Sequence, residues 1–380
     1  MFELNLFCFI LNLSVAVLAG ALISIIPVLT RKSYLFGVKI PLEHSGCPEA
    51  KSMKKNYVSV CVAGSALISA LMIVQYITAP DMTLLCAMYF PFLFVAVQMA
   101  AFIPNWKKAG KLKEERGWAV AQSSVETDSS RVKGNMSELP WIWYIAGLLL
   151  IIISLIVALI QYPSLPDKIP THFDANMQPD SWVDKSLGGM ILMPVINLCT
   201  LALLWFCGFM FVRAKLQIDP QNPGLSFTQH TIYRRRMGHS LGFLALCLVV
   251  LFALLGFMTV FPDFTVPFWV IMGLSFVPVV PVIAVSVKSG QGGFRIKPKT
   301  IMEKDGIAVS GGAQGRGDDK FWIIGMFYYN PGDPAHIVED RFGNNLGFNY
   351  ARLSVKIGAA ILLAALIATY IWATVLIGNI

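Results

Sequence analysis

The stretch Trp141-Ile-Trp-Tyr-Ile-Ala-Gly-Leu-Leu-Leu-Ile-Ile-Ile-Ser-Leu-Ile-Val-Ala-Leu-Ile-Gln161 runs for 21 residues without a charge. A helix of that length rises about 30 Å, the thickness of a bilayer's hydrocarbon core. Seven further stretches of the same kind lie on either side: 4–29, 57–78, 83–103, 187–212, 241–261, 266–287 and 355–377. The composition agrees. Of 380 residues 56% are hydrophobic and only 14% charged, with a mean hydropathy of +0.64, whereas soluble domains carry about 25% charged residues. Soluble, disordered and collagen-like chains are excluded. The expected fold class is an all-α polytopic membrane protein with about eight transmembrane helices. Glu3 is the only charged side chain before the first stretch, so it lacks the basic start of a cleavable signal and is expected to stay as a helix.

Lysine and arginine set the expected orientation, because positive flanks are retained in the cytoplasm. With the N-terminus outside, 28 of the 30 Lys and Arg fall in inner segments and only Lys168 and Lys185 lie outside. Both termini are then external to a bacterial cell membrane. The net charge of +8 therefore reads as topology and contact with anionic headgroups, with no direct nucleic-acid partner expected. Six of the seven cysteines fall in spans and Cys47 in an inner loop, so no extracellular disulfide is expected.

Five segments organise the chain. Residues 1–140 hold three helices and basic inner loops, and 141–212 a helix pair flanking an outer loop. Residues 213–287 hold a helix hairpin, 288–353 a Gly-rich linker and an aromatic segment expected as a small cytoplasmic β-meander, and 354–380 the last helix. The order of loop lengths, with outer turns Ala79-Pro80-Asp81-Met82 and Pro262-Asp263-Phe264-Thr265, suggests a parallel four-plus-four repeat. Inside the spans the strongest polar groups are neutral: Asn12, Gln75, Gln98, Asn197 and Thr200. Ion-coupled carriers generally hold a charged group there. Pro91, Pro194, Pro278 and Pro281 are expected to kink their helices.

The one long outer segment, residues 162–185, contains Pro163, Pro166, Pro170 and Pro179, which stiffen it and leave its side chains little entropy to lose. His172 and Asp174, alternate residues of an extended strand, share a face, but without a second His or Cys they make a weak metal site, and no metal or cofactor is expected. His44 and Cys47 make half a zinc site at best. The spacing Leu165-Pro166, Ile169-Pro170, His172 and Pro179-Asp180 resembles the short membrane domain of unknown function of bacterial SdpI-type proteins. The chain departs from it at Met177, where that domain usually has a glycine. Phe36-Gly-Val-Lys-Ile-Pro-Leu42 in the first inner loop resembles the same proteins' N-terminal region.

Glycines 290, 292, 293, 311, 312, 315 and 317 lack the Gly-Lys-Ser/Thr of a phosphate loop and read as a flexible linker. Beyond them, Asp318-Asp-Lys-Phe-Trp-Ile-Ile-Gly-Met-Phe-Tyr-Tyr-Asn-Pro-Gly-Asp-Pro334 is rich in aromatic and β-branched residues. It resembles a second small domain of unknown function, matched at Asp319, Trp322, Tyr328, Asn330, Asp333 and Arg341 among others. These six are candidates for a structural motif or a cytoplasmic partner site.

The SdpI-type resemblance implies immunity to a secreted toxic peptide and retention of a cytoplasmic transcriptional repressor at the membrane. On that reading His172, Asp174, Asp180, Trp182 and Lys185 are the candidate residues for an extracellular peptide ligand, and no catalytic residue is expected. The alternatives are a small-molecule or peptide transporter using the kinked helices, and a metal-dependent membrane hydrolase using His172 and its neighbouring carboxylates.

Overall fold

The computed structural model describes residues 2–118, 125–127, 139–173, 177–213, 222–261, 263–298, 309–311, 316–341 and 347–378. Its helices are α1 (Phe2–Leu29), α2 (Pro48–Thr78), α3 (Thr83–Glu115), α4 (Trp141–Gln161), α5 (Leu187–Arg213), α6 (Pro223–Val260), α7 (Phe268–Phe276), α8 (Val279–Ser289) and α9 (Leu353–Gly378). Among the described residues seven helical spans are long and apolar enough to cross a membrane, α7 and α8 counting as one, and α9 supplies a further apolar helix. The chain is an all-α polytopic membrane protein with small antiparallel sheets.

Three helices outrun the bilayer. A span needs about 20 residues, yet α2, α3 and α6 have 31, 33 and 38. Stretches expected as inner loops, including Pro48–Lys55, Lys107–Glu115 and Pro223–Arg236, are therefore helical turns. Hydropathy marks where lipid ends, not where a helix ends. Good helix formers carry α3 onward, with Lys111 and Glu115 paired one turn apart at 3.5 Å. The seventh span breaks between α7 and α8 at Val277-Pro278, where prolines remove backbone donors.

Contacts divide the chain into two compact units. One gathers residues 1–132, 214–226 and 302–380, the other 133–213 and 227–301. Segments remote in sequence thus come together, α9 joining α1–α3 rather than α4–α8.

In the first unit, Gly20 of α1 lies so close to Ser65 of α2 that a Cβ there would fall 2.5 Å from the serine oxygen, the small-residue packing that lets membrane helices approach. Strands β1 (Tyr34–Leu35) and β2 (Val38–Lys39) form a hairpin after α1. Strand β3 (Val125–Thr127) pairs with β6 (Val309–Gly311). The aromatic segment folds as two short ladders, β7 (Trp322–Ile323) with β8 (Phe327–Tyr328) and β9 (Ile337–Val338) with β10 (Gly347–Phe348). A parallel bridge from Tyr328 to Asn349 joins them.

In the second unit, strands β4 (Lys168–Phe173) and β5 (Pro179–Asp184) pair between α4 and α5. Helix α6 is held by polar contacts. Arg234 is buried and donates to the Val212 carbonyl at 2.7 Å, satisfying the otherwise open end of α5. The Trp143 indole donates to His239 at 3.1 Å, and Asn197 donates to the Val249 carbonyl at 3.0 Å.

The expected flexible linker is corrected at its start. Gly290, Gly292 and Gly293 form an ordered turn with φ of 67°, 62° and 83°. A Cβ on Gly293 would lie 2.5 Å from the Gln229 carbonyl oxygen, and the Gln229 amide donates to the carbonyls of Phe294 and Ile296. The glycines permit close packing on α6, not flexibility. Gly312 and Gly315 lie outside the described residues.

Candidate functional site

The β4–β5 hairpin grows from the sequence by anchoring. Leu165 and Ile169 are buried against Ala158, Met190 and Val260, at the ends of α4, α5 and α6. The Lys185 amide donates to the Asp167 carbonyl at 2.7 Å, closing the hairpin's base. Its ammonium donates to the carbonyls of Leu165 at 2.8 Å and Pro163 at 3.2 Å, and lies 5.1 Å from the centre of the Tyr162 ring. Lys185, a candidate ligand contact, is thus engaged in holding the hairpin to the end of α4.

The tip is held by Met177. It adopts φ of 61°, a conformation that costs an L-residue about 1–2 kcal/mol. Its side chain is buried with Met258 and Val266, and burying such a chain contributes about 1.5–3 kcal/mol. Packing therefore outweighs strain, so Met177 itself takes the left-handed position that a glycine would fill without cost.

Between base and tip the hairpin is exposed. Trp182 is 52% and Val183 41% accessible, and Asp180 and Asp184 are exposed as well. The ladder pairs Lys168 with Asp184, Ile169 with Val183, Pro170 with Trp182 and His172 with Ser181, its register shifting on both sides of His172. Such irregularities bend a strand and re-aim its side chains. His172 is placed on β4 opposite Ser181. Asp174 lies outside the described residues. Among the described residues no group of three His, Cys, Asp or Glu could hold a metal ion.

Residues 149–198 match the family model of a domain of unknown function, DUF1648. This is a small membrane-associated domain found in SdpI-like proteins. No curated protein and no solved structure matches the chain. The DUF1648 segment runs from the middle of α4 through the hairpin to the middle of α5. Of the positions that carry the resemblance, Leu165, Ile169 and Pro170 are buried, whereas Pro166 and Asp180 are exposed.

The six candidates in the aromatic segment fall together in the first unit, around two buried arginines. Arg316 and Asp333, both without side-chain exposure, pair through Nε at 2.5 Å and Nη2 at 2.9 Å. Tyr328 donates to Asp333 at 3.2 Å, the Asn330 amide donates to the Tyr328 oxygen at 3.0 Å, and the Trp322 indole donates to the Arg316 carbonyl at 2.9 Å. Asn349 bridges the carbonyls of Asn330 and Asp333, both at 2.9 Å. Burial alone would raise the Asp333 carboxyl, but the Arg316 and Ala335 hydrogen bonds and the Arg316 charge outweigh it and hold it below the ordinary carboxylate range. Burial pushes the Tyr328 phenol up to about 12.

Arg341 carries this network onto the β1–β2 hairpin. It donates to the Gly37 carbonyl at 2.9 Å, to Asp319 and to the Arg316 carbonyl at 3.0 Å, and its guanidinium stacks over Tyr34 and Trp322. Asp319 also accepts from Lys113 of α3 and from the Lys39 amide, and Glu339 pairs with Arg31. The two turns meet back to back. Gly37 (φ 80°) and Gly325 (φ 70°) pack so closely that a Cβ on Gly37 would fall 2.3 Å from the Gly325 oxygen. Sequence reasoning found the six residues but missed Arg316, Arg31 and this docking. The available signal was the repeated pattern of aromatic, two apolar residues and glycine in Tyr34-Leu35-Phe36-Gly37 and Trp322-Ile323-Ile324-Gly325.

Proposed function

We propose that the chain is a plasma-membrane binding protein of SdpI-like type, which recognises an extracellular peptide toxin through the β4–β5 hairpin and protects or signals on that binding. One observation carries the reading: the hairpin is pinned at its base by Lys185, Leu165 and Ile169 and at its tip by Met177, yet exposes Trp182, Val183, Asp180 and Asp184 between them. A rigid exposed tryptophan beside carboxylates is the kind of anchor that dominates binding energy, and the acids suit a cationic peptide. The basic-residue asymmetry supports a bacterial cell membrane with the hairpin and both termini outside. A cytoplasmic repressor, the partner implied by the resemblance, would meet the ends of α2 and α3. There Pro48, Glu49, Ser52, Lys108, Lys111 and Glu115 line an open groove of about 610 Å³.

The proline kink between α7 and α8, where Val277 and Pro278 keep helical φ and ψ, favours transport as a second reading, since carriers exploit carbonyls freed by proline. The cavity among Ser154, Pro194, Asn197 and Phe252, however, holds about 20 Å³, room for one water. The exposed hairpin supports binding, and substrate-dependent flux in proteoliposomes would favour transport instead.

Deleting the gene should sensitise cells to a peptide toxin from a panel. His172→Ala, Asp180→Ala and Trp182→Ala should reproduce the defect with membrane insertion intact, Trp182→Ala by about tenfold or more in inhibitory concentration, the loss expected of about 1.4 kcal/mol or more of binding. Unchanged sensitivity across the panel would overturn the proposal.

A further inference from the structure

The β7–β10 segment has two faces, and the docking described above uses only one. At the Tyr328–Asn349 bridge both side chains point inward and are buried. Successive residues of a strand alternate faces, so Phe327 and Tyr329 on one strand and Phe348 and Tyr350 on the other point the opposite way. Ile323 joins them, paired with Phe327. Ile323, Phe327, Tyr329 and Phe348 are exposed, and the Phe327 and Tyr350 rings meet edge to face at 5.6 Å. The result is a contiguous aromatic and aliphatic face, larger than scattered apolar residues on a soluble surface would make.

Its position identifies what covers it. Strand β10 ends at Phe348 and α9 begins at Leu353, so only a few residues separate this face from a membrane span. Lys356, in the first turn of α9, places its ammonium over the Tyr329 ring, 5.4 Å from the centre. The face is therefore level with the entry of α9, whose Leu353, Ile357 and Ile361 form an exposed apolar stripe at helical spacing. Aromatic residues at that level belong to the interfacial belt, and a lysine one turn in extends its head to the phosphates.

We propose that the Ile323, Phe327, Tyr329 and Phe348 face is a second membrane-contact surface, seated in the headgroup and upper acyl region of the bilayer beside α9. The segment then has two attachments: the β1–β2 hairpin on its inner face and phospholipid on its outer one. It is a monotopic element built into a polytopic chain, held to the lipid by burial of apolar area as an interfacial helix is.

The test uses the full chain, with its seven native cysteines replaced, in nanodiscs of phosphatidylethanolamine and phosphatidylglycerol. Nitroxide labels go on Phe327→Cys, Phe348→Cys and Ile323→Cys, with Lys111→Cys as a water-exposed reference and Ile361→Cys as a lipid reference. Resistance of residues 316–341 to protease confirms that each variant is folded. The expected result is a ratio of oxygen to nickel-chelate collision several-fold above that of the Lys111 label and approaching that of the Ile361 label. Nickel-chelate access equal to that at Lys111 would show the face in water and overturn the proposal. Shielding from both reagents would show it covered by protein and overturn it equally.

Discussion

Gly37→Ala will detach the aromatic segment from the β1–β2 hairpin. The position has φ of 80°, which costs an alanine about 1–2 kcal/mol. The new methyl group would also fall 2.3 Å from the oxygen and 2.7 Å from the Cα of Gly325. These are backbone atoms of a second tight turn, so no flexible side chain can give way. Separation of the turns removes the Arg341 bond to the Gly37 carbonyl and leaves a buried guanidinium short of a partner, a loss of about 1.5–3 kcal/mol by itself. The summed effect is several kcal/mol on the docked state. Limited proteolysis of the full protein should cut within residues 316–341 at least tenfold faster than in wild type, with the span helices still protected. Gly325→Ala, at φ 70° and 2.9 Å from the Phe36 oxygen, should act the same way.

Asp333→Asn has a comparable expected effect through charge. Asp333 accepts from Arg316, Tyr328 and the Ala335 amide while fully buried. Removing one partner of a buried pair costs about 3–5 kcal/mol, because the other charge stays buried. The pH dependence follows from the lowered carboxyl. An unfolded aspartate titrates near 3.9 and the folded one below its ordinary range, so the stabilisation is fully present above about pH 4 and lost as the pH falls through the folded value. Protease protection of the segment in wild type should be flat from neutrality to about pH 4 and fall below it. The Asn variant should be weakly protected throughout and lack that acid step. A variant as well protected as wild type at neutral pH would remove Asp333 from the account.

The parts legible in sequence were those governed by local chemistry. Apolar length marked the spans, with α4 matching its stretch at both ends, and prolines marked the α7–α8 break. Alternating aromatic residues marked the β segment, though not its register. What escaped were arrangements set by partners distant in the chain. The repeated pattern of Tyr34–Gly37 and Trp322–Gly325 marks two similar turns, but it does not say that they pack on each other across almost 300 residues, since that contact is made by two glycines through the side chains they lack. Arg316 follows a run of glycines and small residues and gives no sign of being buried opposite Asp333. At the hairpin, composition pointed to the outer loop but not to the division of labour within it. Lys185 reads equally as a ligand contact or an anchor until the carbonyls of Pro163 and Leu165 are seen around its ammonium. Met177 stands where the resembling domain usually has a glycine, a hint of a left-handed residue, but that methionine itself holds the position depends on packing against Met258 and Val266 from other elements.

On the proposed orientation the exposed β4–β5 hairpin faces the exterior and the β7–β10 segment the cytoplasm. Single cysteines placed at Trp182 and Lys320 in a cysteine-free chain, probed with a membrane-impermeant maleimide on intact cells, test it most directly. Rapid labelling is expected at position 182, and labelling at position 320 only after the cells are opened. Protection of 182 together with labelling of 320 in intact cells would contradict it.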